Sequence, residues 1–497
     1  MDEERTPVVV GVGHAIERDA IVTTEDLTEW AARVALDETP KVAAAIERVS
    51  VVNTIFSPAV ADGGSELARR LGLKPAVAEV TTAGGNTPQW LVTRAAEEIA
   101  AGRLRATLVA GAESTRSARA AGQQQDLMQR RTVSDTPSDP IVGSDQRLLT
   151  VAEIQVRLLL PAHIYPLFEV ALAARDGRTL AEQREYLGTI MAPFTSVAAQ
   201  HPFAWFRQEL TPLEIATPDA SNRITAEPYT KRMNAFPNVD QGAAIVVCSL
   251  AEARRAGVAD QAVFIWAGAD TAEVIAPTAR PDLAASPAIK AAAARALEAA
   301  SLGLDDIDYF DFYSCFPSAV QLGADAVGLG LRDARGLTVT GGLPYFGGPG
   351  NNYPTHSIAT MAGILRERPG HALVTGLGGY ITKHAVGIYA STPPPTGFRR
   401  GDTRRDQVEI DAGAIEIALG DVNSGATVEA STVVYAADGA VEAVPVIARL
   451  DDGRRVSAQC ADDIAALDAQ SLVGARIRVE GTPPSFHLEH LAATSNH

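Results

Sequence analysis

The stretch "GGNTPQWLVTRAAEEIAAGRLRATLVAG", Gly84 to Gly111, has a counterpart in "GGPGNNYPTHSIATMAGILRERPGHALVTG", Gly347 to Gly376. Each copy is a glycine-rich turn, an amphipathic helix, a glycine stop and an apolar strand that ends in glycine. In the first helix Leu91, Ala95 and Ile99 fall on one face. The pattern predicts the same helix-and-strand unit twice in one chain.

A second pair of similar segments precedes these two. "RVSVVNTIFSPAVADGGSELARRLGL" (48–73) and "DIDYFDFYSCFPSAVQLGADAVGLG" (306–330) each read as a strand, a turn with proline, a helix and a Gly-Leu stop. Chance recurrence of such patterns is the alternative, and the shared order of both pairs disfavours it. The sequence therefore predicts two α/β halves related by a pseudo-twofold axis, with apolar central strands covered by helices.

Composition narrows the class of partner. Of the 497 residues, 43 are Lys or Arg and 60 are Asp or Glu, a formal net charge of −17 that argues against nucleic acid or anionic membranes as general partners. Three cysteines without CxxC spacing and nine histidines without an HxxxH pair predict no disulfide framework and no metal site. The start of the chain lacks the apolar core of a signal peptide, and this favours a cytoplasmic protein.

Changes of pattern along the chain predict its organisation. Residues 1–262 form the N-terminal half, with a covering insertion at about 114–228, and residues 263–395 form the C-terminal half. The Pro- and Arg-rich stretch "STPPPTGFRRGDTRRDQ" reads as a linker. From about Gln407 to residue 497, alternating apolar residues around two Asp-Gly turns predict an additional β-rich domain, a barrel of the OB type.

Several segments in a fixed order resemble one family. They are "TTAGGNTPQW", "AEPYTKRMNAFPNVDQGAAIVVCS", "DFYSCFPSAV", "GGLPYFGGPG" and "GLGGYITKHAVGIYASTPPP". Together the chain resembles the thiolase superfamily, and within it the sterol-carrier-type thiolase-like proteins with an additional C-terminal domain, which are acetyl-CoA acetyltransferase-like. The resemblance implies the five-layer αβαβα fold, an acyl-CoA ligand, and a site at the N-termini of the two inner helices.

Two positions depart from the family pattern. Gly85 stands where a thiolase carries its nucleophilic cysteine, followed by Asn86 and Thr87, and Gly348 stands where the family's Gly-His-Pro loop carries its histidine. A thiolase needs that thiolate to form the acyl-enzyme. Ordinary thiolysis is therefore not expected of this chain.

The segment "YSCF" aligns with the family's His-Asp-Cys-Phe. Tyr313 takes the histidine position, Ser314 the acidic one, and Cys315 is kept. A tyrosine there also resembles thiolase-like retro-aldolases, in which tyrosines transfer protons and an OB-fold partner protein is required. The resemblance makes Tyr313 the leading catalytic candidate, with packing as its alternative role. Cys315 is a second candidate, although a small buried hydrophobe is the favoured reading because no activating base is visible.

The loop "GGLPYFGGPGNNYPTH", Gly341 to His356, has the glycine density of a ligand-wrapping loop but no P-loop or dinucleotide signature. Asn352 and Tyr353 are candidate hydrogen-bonding groups. His356 is the candidate that titrates near neutrality, with an ordinary role in the helix as the favoured alternative. The "GLGG" strand end is expected to offer backbone N–H groups to a ligand.

Three hypotheses for function follow from these residues. The first is an acyl-CoA enzyme that acts on the α–β carbon bond by retro-aldol or atypical acyl transfer, because this chemistry needs only an acid or base and an enolate pocket. The second is a non-catalytic CoA- or acyl-lipid-binding protein, and the third an interaction scaffold. A CoA thioester is the expected substrate or ligand, no tightly bound cofactor is expected, and both a homodimer and a monomer remain open. The candidate catalytic residues are Tyr313, His356 and Cys315, and the candidate substrate- or CoA-binding residues are Gly85, Asn86, Gly348, Asn352, Tyr353, Gly378 and Gly379.

Overall fold

The computed structural model describes residues 2–58, 62–123, 139–144, 148–462 and 471–487. The helices are α1 (Thr24–Asp37), α2 (Gly63–Leu71), α3 (Thr87–Ala100), α4 (Thr115–Ala120), α5 (Val151–Gln155), α6 (Pro161–Arg175), α7 (Leu180–Gln200), α8 (Pro212–Ala216), α9 (Leu250–Ala256), α10 (Pro287–Ala300), α11 (Pro317–Val327), α12 (Tyr353–Glu367) and α13 (Arg404–Ala412). The strands of the main body are β1 (Pro7–Ile16), β2 (Ile46–Val51), β3 (Val77–Thr81), β4 (Ala106–Ser114), β5 (Ile141–Val142), β6 (Ile224–Ala226), β7 (Tyr229–Thr230), β8 (Asp240–Ser249), β9 (Val263–Ala272), β10 (Tyr309–Asp311), β11 (His371–Gly378), β12 (Lys383–Ala390) and β13 (Arg399–Arg400). The strands of the tail are β14 (Val422–Ser431), β15 (Val434–Tyr435), β16 (Val441–Ala443), β17 (Pro445–Leu450), β18 (Arg455–Cys460), β19 (Arg476–Gly481) and β20 (Ser485–Phe486).

The two halves repeat one strand order. The N-terminal half pairs its strands as β1-β8-β4-β2-β3, and the C-terminal half pairs its own as β9-β12-β11-β10. The two sheets meet where β1 pairs with β9 at Val8↔Phe264 and Val9↔Val263. The first predicted repeat is α3 with β4, and its counterpart is α12 with β11, so the internal duplication is confirmed.

Five layers follow from where the helices pack. Helices α1 and α2 cover the outer face of the N-terminal sheet, and α10 covers the outer face of the C-terminal sheet, with α11 packed on α10. Helices α3 and α12 contact each other and strands of both sheets. A buried cluster that includes Val92, Ile99, Ile245, Ile358 and Met361 fills this middle layer. The predicted five-layer αβαβα fold is confirmed.

Glycines end two of the helices as the sequence predicts. Gly72 after α2 has φ +69° and Gly328 after α11 has φ +79°, both in the left-handed region that a side chain disfavours. In each case the glycine N–H bonds back to carbonyl groups of the last turn. The Gly-Leu stops therefore set the point where each chain segment leaves its helix.

The outer edge of the N-terminal sheet is covered by the chain itself. Strand β5 runs parallel to β3 with Val80↔Ile141 and Thr81↔Val142. The Val80 N–H donates to the Pro140 carbonyl at 3.0 Å, and the Thr82 N–H donates to the Val142 carbonyl at 2.8 Å. Along this part of β3, the backbone N–H groups that an edge strand would leave unpaired are bonded to the segment that contains β5.

The segment between β4 and β8 holds the helices α4 to α8 and the hairpin of β6 and β7. The apolar stretch "PAHIYPLFEVALAAR" within this segment forms α6. Parts of the predicted covering insertion, residues 124–138 and 145–147, lie outside the described residues, and so do 463–470 and 488–497 of the predicted C-terminal domain.

The tail closes into a barrel in the order β14-β17-β18-β20-β19. The two predicted Asp-Gly turns are present, with Gly439 at φ +87° between β15 and β16 and Gly453 at φ +91° between β17 and β18. Outside the barrel, the tail joins the body in a four-stranded sheet, since β15 pairs with β6 at Val434↔Ala226 and the Glu227 N–H donates to the Val433 carbonyl at 2.9 Å. The OB type of this barrel stays a prediction.

The start of the tail differs from the sequence prediction. Residues from Gln407 onward were expected to be β, but helix α13 covers Arg404–Ala412 and the first barrel strand begins at Val422. Arg295 pairs with Asp406 at 2.8 Å, and the Gln407 side chain bonds to both backbone groups of Ala272. Because these contacts come from the body, the local polar pattern does not reveal the helix.

Within the described part of the chain, no helix combines the length and the apolar character needed to cross a bilayer.

Candidate active site

The entry of α3 is built from glycine. Gly84 has φ +151°, and its N–H donates to the Asn351 Oδ1 atom at 3.0 Å. The Thr87 hydroxyl donates back to the Gly84 carbonyl at 2.8 Å. A Cβ on Gly84 would lie 2.5 Å from Asn86 Oδ1, so only glycine fits this turn.

Tyr313 occupies the space beside Gly85. A Cβ built on Gly85 would lie 2.6 Å from the Tyr313 hydroxyl oxygen, 2.9 Å from its ring and 2.5 Å from the Leu377 carbonyl oxygen. Real Cβ atoms essentially never come so close to other atoms. Position 85 therefore has no room for a cysteine while Tyr313 holds this position, and the structure brings these two sequence-predicted residues into contact.

The surroundings of Tyr313 keep its hydroxyl protonated. The Tyr313 N–H donates to Thr375 Oγ1 at 2.8 Å, and its ring meets the Tyr353 ring edge to face at 5.6 Å between centroids. Burial, with smaller effects from Cys315 and Tyr353, raises the pKa of Tyr313 well above its ordinary value. At neutral pH this group is a hydrogen-bond donor and an acid rather than a phenolate base.

Glycines at the end of β11 let its backbone approach the entry of α3. A Cβ on Gly376 would lie 3.0 Å from the Asn86 Cα, and one on Gly378 would collide with Asn86 Oδ1. Asn86 Oδ1 is buried and has no hydrogen-bond partner among the described residues. Gly379, at φ +73°, accepts a hydrogen bond from the Tyr165 hydroxyl at 2.8 Å. Asn86 and Gly378 thus lie at the entry of α3 beside Gly85, while the contacts of Gly379 are with Tyr165 and Leu148.

Gly348 lies against a different neighbour. Its N–H donates to the Phe236 carbonyl at 2.9 Å, and a Cβ on it would lie 3.3 Å from that same oxygen. The Phe236 ring packs edge to face with Phe206 at 4.8 Å, and the Phe206 side chain is 40% exposed. Gly348 therefore contacts the backbone of Phe236, whose ring packs on the partly exposed Phe206.

The asparagines at the entry of α12 hold the two halves together. Asn352 Nδ2 donates to the Gly111 carbonyl at 2.5 Å and to the Ala243 carbonyl at 3.4 Å, and its Oδ1 accepts from Thr355 at 2.6 Å. Asn351 Nδ2 donates to the Asn53 carbonyl at 2.8 Å. The Asn352 amide, expected from the sequence to meet a ligand, is engaged by the protein's own groups, and so is the amide of Asn351.

Comparison with solved structures identifies the family. The chain matches the crystal structure of a monomeric SCP2-thiolase-like protein type 1 from Mycobacterium smegmatis with TM-score 0.83 and 33% sequence identity, over 98% of this chain and 99% of that one. This chain belongs to the SCP2-thiolase-like proteins of the thiolase superfamily. No protein-family model and no curated protein sequence matches it.

More distant structures share the fold with this SCP2-thiolase-like chain. The Ltp2–ChsH2(DUF35) aldolase matches at TM-score 0.58 and 18% identity, over 78% of this chain and 98% of that one. Human mitochondrial 3-ketoacyl-CoA thiolase matches at TM-score 0.55 and 17% identity, over 78% of this chain and 99% of that one. At these identities the likeness shows the thiolase fold alone.

His356 lies in a cluster of histidines in this SCP2-thiolase-like chain. Its Nδ1 is hydrogen-bonded to the His14 Nδ1 at 2.9 Å, and the His14 ring lies 5.8 Å from the His201 ring. Phe346 packs edge to face on His356 at 5.1 Å. Burial, followed by the His14 and His201 rings, lowers the pKa of His356 well below its ordinary value, so the ring is neutral at pH 7.

Cys315 is buried beside the Tyr165 hydroxyl, which interacts with its thiol. Burial raises the pKa of Cys315 to about 12, so the thiol stays protonated at neutral pH. Phe316 stacks on Tyr165 at 4.4 Å and fixes the chain next to it. In this setting the thiol is a weak nucleophile.

Sequence reasoning missed His14, His201 and His384. His384 is 3% exposed and lies on β12, and its Nε2 has no hydrogen-bond partner among the described residues. The available signal was the polar pair "KH" inside the otherwise apolar strand "KHAVGIYA". Across the described ranges, no group of His, Cys, Asp or Glu is arranged to hold a metal ion.

Proposed function

We propose that this protein acts on the α–β carbon bond of an acyl-CoA thioester by proton transfer, without a covalent acyl-enzyme, and that retro-aldol cleavage of a 3-hydroxyacyl-CoA is the favoured reaction. The observation that carries this proposal is the contact of Tyr313 with Gly85. Gly85 stands at the family's nucleophile position according to the resemblance, and the space for its side chain is taken by a phenol from the other half, which offers a proton but no thiolate.

The favoured reaction balances without a further reactant. A base removes the proton of the 3-hydroxyl group, the carbonyl forms as the α–β bond breaks, and the electron pair of that bond becomes the enolate of the shortened thioester. The enolate carbon then takes up a proton and gives the shortened acyl-CoA. The protein must supply hydrogen-bond donors for the enolate oxygen and one group that handles the proton.

Tyr313 fits the donor role. Its raised pKa keeps the hydroxyl protonated, Thr375 holds its backbone N–H, and the Tyr353 ring packs against its ring. Backbone N–H groups near Gly378 and Gly379 are further donors in this proposal. Cys315 and His356, the other candidate catalytic residues, have pKa values shifted away from neutrality and take no step in it.

The test is incubation with a panel of 3-hydroxyacyl-CoA and 3-ketoacyl-CoA thioesters, with products and intact protein read by mass spectrometry. We expect cleavage of a 3-hydroxyacyl-CoA, no acylated protein, and a loss of about 100-fold in kcat for Tyr313→Phe. Tyr389→Phe is the matched control, because Tyr389 is also buried but bonds Gln89. Unchanged turnover by Tyr313→Phe would remove this mechanism, and an acylated protein would restore thiolysis.

A second candidate is a CoA- or acyl-lipid-binding protein without turnover. The protonated Cys315 thiol and the neutral His356 ring favour it, because neither provides an active base or nucleophile at pH 7. Isothermal titration with CoA and a non-hydrolysable acyl-CoA distinguishes the two. Saturable binding without any product from the panel supports the second candidate.

We also propose that the protein works as a monomer with its barrel in the place of a partner subunit. The M. smegmatis relative is described as monomeric, and the name of the aldolase structure includes a DUF35 component. Strand β5 already covers the edge of β3, and the tail that carries the barrel is bonded to the body through β15 and β6. Light scattering after size exclusion tests this, and a dimer mass would contradict it. A cytoplasmic location and a role in lipid metabolism belong to the same proposal.

A further inference from the structure

A small cavity lies between Tyr313 and the outer side of the C-terminal sheet. Its lining includes Tyr313, Thr375, Leu377, His384, Ile289 and Ala319. Strand β10 pairs with β11 from Tyr309↔Ala372 to Asp311↔Val374, and the pairing stops there. The cavity lies where the chain after β10 separates from β11. It therefore lies between the loop that carries Tyr313 and strand β12.

His384 presents an open acceptor in this setting. Its imidazole donates a hydrogen bond to the backbone of Ile381, and Nε2, which is buried, has no partner among the described residues. A buried nitrogen without a partner is costly, and such groups are usually satisfied by an ordered water. The side chain is 3% exposed, so bulk solvent does not serve this nitrogen.

The turn before His384 is firmly held. Ile381 has φ +54°, a left-handed conformation that β-branched residues rarely adopt. Arg280, which is 2% exposed, donates to Thr382 Oγ1 at 3.1 Å, and the Glu273 N–H donates to the Thr382 carbonyl at 2.7 Å. The imidazole is thus aimed by a rigid turn, and a strained residue next to a functional group is a recurring feature of active sites.

We propose that His384 is a positioning residue for Tyr313: one water enclosed in this cavity donates one hydrogen bond to His384 Nε2 and one to the Tyr313 hydroxyl oxygen, which leaves the Tyr313 O–H free to face the substrate. Thr375 Oγ1 is a further polar partner within the cavity lining. A buried water needs two to four such partners. The inference rests on the proposed function only for its catalytic consequence, since the hydrogen-bonded chain itself is a feature of the resting protein.

The chain has a consequence for the donor role of Tyr313. Because the water donates to its oxygen, the single O–H of Tyr313 points to the substrate and donates to the enolate oxygen as the α–β bond breaks. His384 holds the water and does not change its protonation state. Burial and Arg280 keep the resting ring neutral, so its lone pair is free at pH 7.

Nitrogen NMR of protein labelled in its histidine rings tests the hydrogen-bonded chain without any turnover. We expect the His384 Nε2 resonance to lie at the position of a hydrogen-bonded acceptor and to move toward that of a free nitrogen in Tyr313→Phe. In Tyr389→Phe it should not move, because Tyr389 bonds Gln89 of α3. An unchanged resonance in Tyr313→Phe overturns the proposal.

Kinetics of His384→Asn provide the second readout once a substrate is found. We expect kcat to fall about 100-fold with KM unchanged, and no further fall when Tyr313→Phe is added. Losses that multiply in the double variant overturn the coupling. His371→Asn is the matched histidine control, because His371 lies at the start of β11, away from the cavity at the other end of that strand. If no thioester is turned over, the proposed function fails, and the NMR result alone decides this inference.

Discussion

The entries of α3 and α12 occupy equivalent positions in the two halves, but they are used differently. At α3 the side chain is missing at Gly85, and its space is taken by Tyr313 from the other half. At α12 the side chains are kept, and Asn352 bonds to backbone carbonyls of β4 and β8. In this duplicated fold the entry of α3 makes room for Tyr313, and the entry of α12 joins the two halves.

The largest effect is expected at the α12 entry. Asn352→Ala leaves the buried Gly111 and Ala243 carbonyls without their donor, and we expect the free energy of unfolding to fall by about 2–5 kcal/mol. Urea denaturation followed by circular dichroism measures this. Asn423→Ala, at an exposed asparagine of β14, is the control and should change stability by less than about 0.5 kcal/mol. Equal losses in both variants would show that Asn352 does not join the halves.

The next effect tests the α3 entry. Gly85→Ala drives a methyl group into Tyr313 and the Leu377 carbonyl, and overpacking of this kind costs about 1–3 kcal/mol of unfolding free energy. Part of the loss should disappear when Tyr313→Ala is added, giving a coupling above about 0.5 kcal/mol in a double-mutant cycle.

The control for Gly85 is Gly363→Ala in α12, where a Cβ meets no atom within 4 Å. There we expect a gain of up to about 1 kcal/mol, because alanine is the better helix former. Additive effects of the Gly85 and Tyr313 substitutions would mean that the phenol does not fill the vacated space.

Acid should lower the free energy of unfolding through the buried histidines His201 and His356. The folded-state pKa of His201 is lowered to about 4, mainly by burial, from an ordinary value of 6.5, and that of His356 is lowered too. As pH falls below 6.5 the unfolded chain binds protons that the folded chain does not, so stability is lost down to about pH 4. Each such histidine contributes a slope of about 1.4 kcal/mol per pH unit.

The measurement is the unfolding free energy at a series of pH values from 7 to 4. His201→Gln should remove one histidine's share of the slope, and His371→Gln, on the half-exposed start of β11, serves as the control. A slope unchanged by His201→Gln would contradict the assignment.

The smallest effect concerns the thiol near the α3 entry. With its pKa raised to about 12 by burial, Cys315 should resist iodoacetamide at pH 7.5, while the half-buried Cys460 reacts first. Peptide mass spectrometry after timed alkylation gives both rates. Faster labelling of Cys315 than of Cys460 would show that the Cys315 thiol is a competent nucleophile.

The repeated segments allowed the fold to be predicted, because each repeat carries its own helix pattern and glycine stop. That Gly85 and Gly348 replace the family's cysteine and histidine stays a prediction from motif spacing. The contact between Tyr313 and Gly85 could not, since it joins residues from different halves and a single sequence carries no record of that proximity.

The histidine cluster shows a second limit. His14, His201 and His356 come from β1, from the end of α7 and from α12, and no local pattern relates them. Helix α13 was not predicted for a similar reason, because the groups that bond to it, Arg295 and Ala272, belong to the body. Local periodicity predicts helices and strands. The histidine cluster and helix α13 depend instead on contacts between distant parts of the chain.

The pairing of β15 with β6 bears on how the polypeptide matures at the ribosome. Ala226 is synthesised more than two hundred residues before Val434, so the edge of β6 waits without its neighbour while the second half emerges. An open strand edge in a half-finished chain is a point at which nascent chains stick to one another. Slower translation before the tail should therefore lower the yield of native protein, and earlier supply of the barrel as a separate polypeptide should raise it.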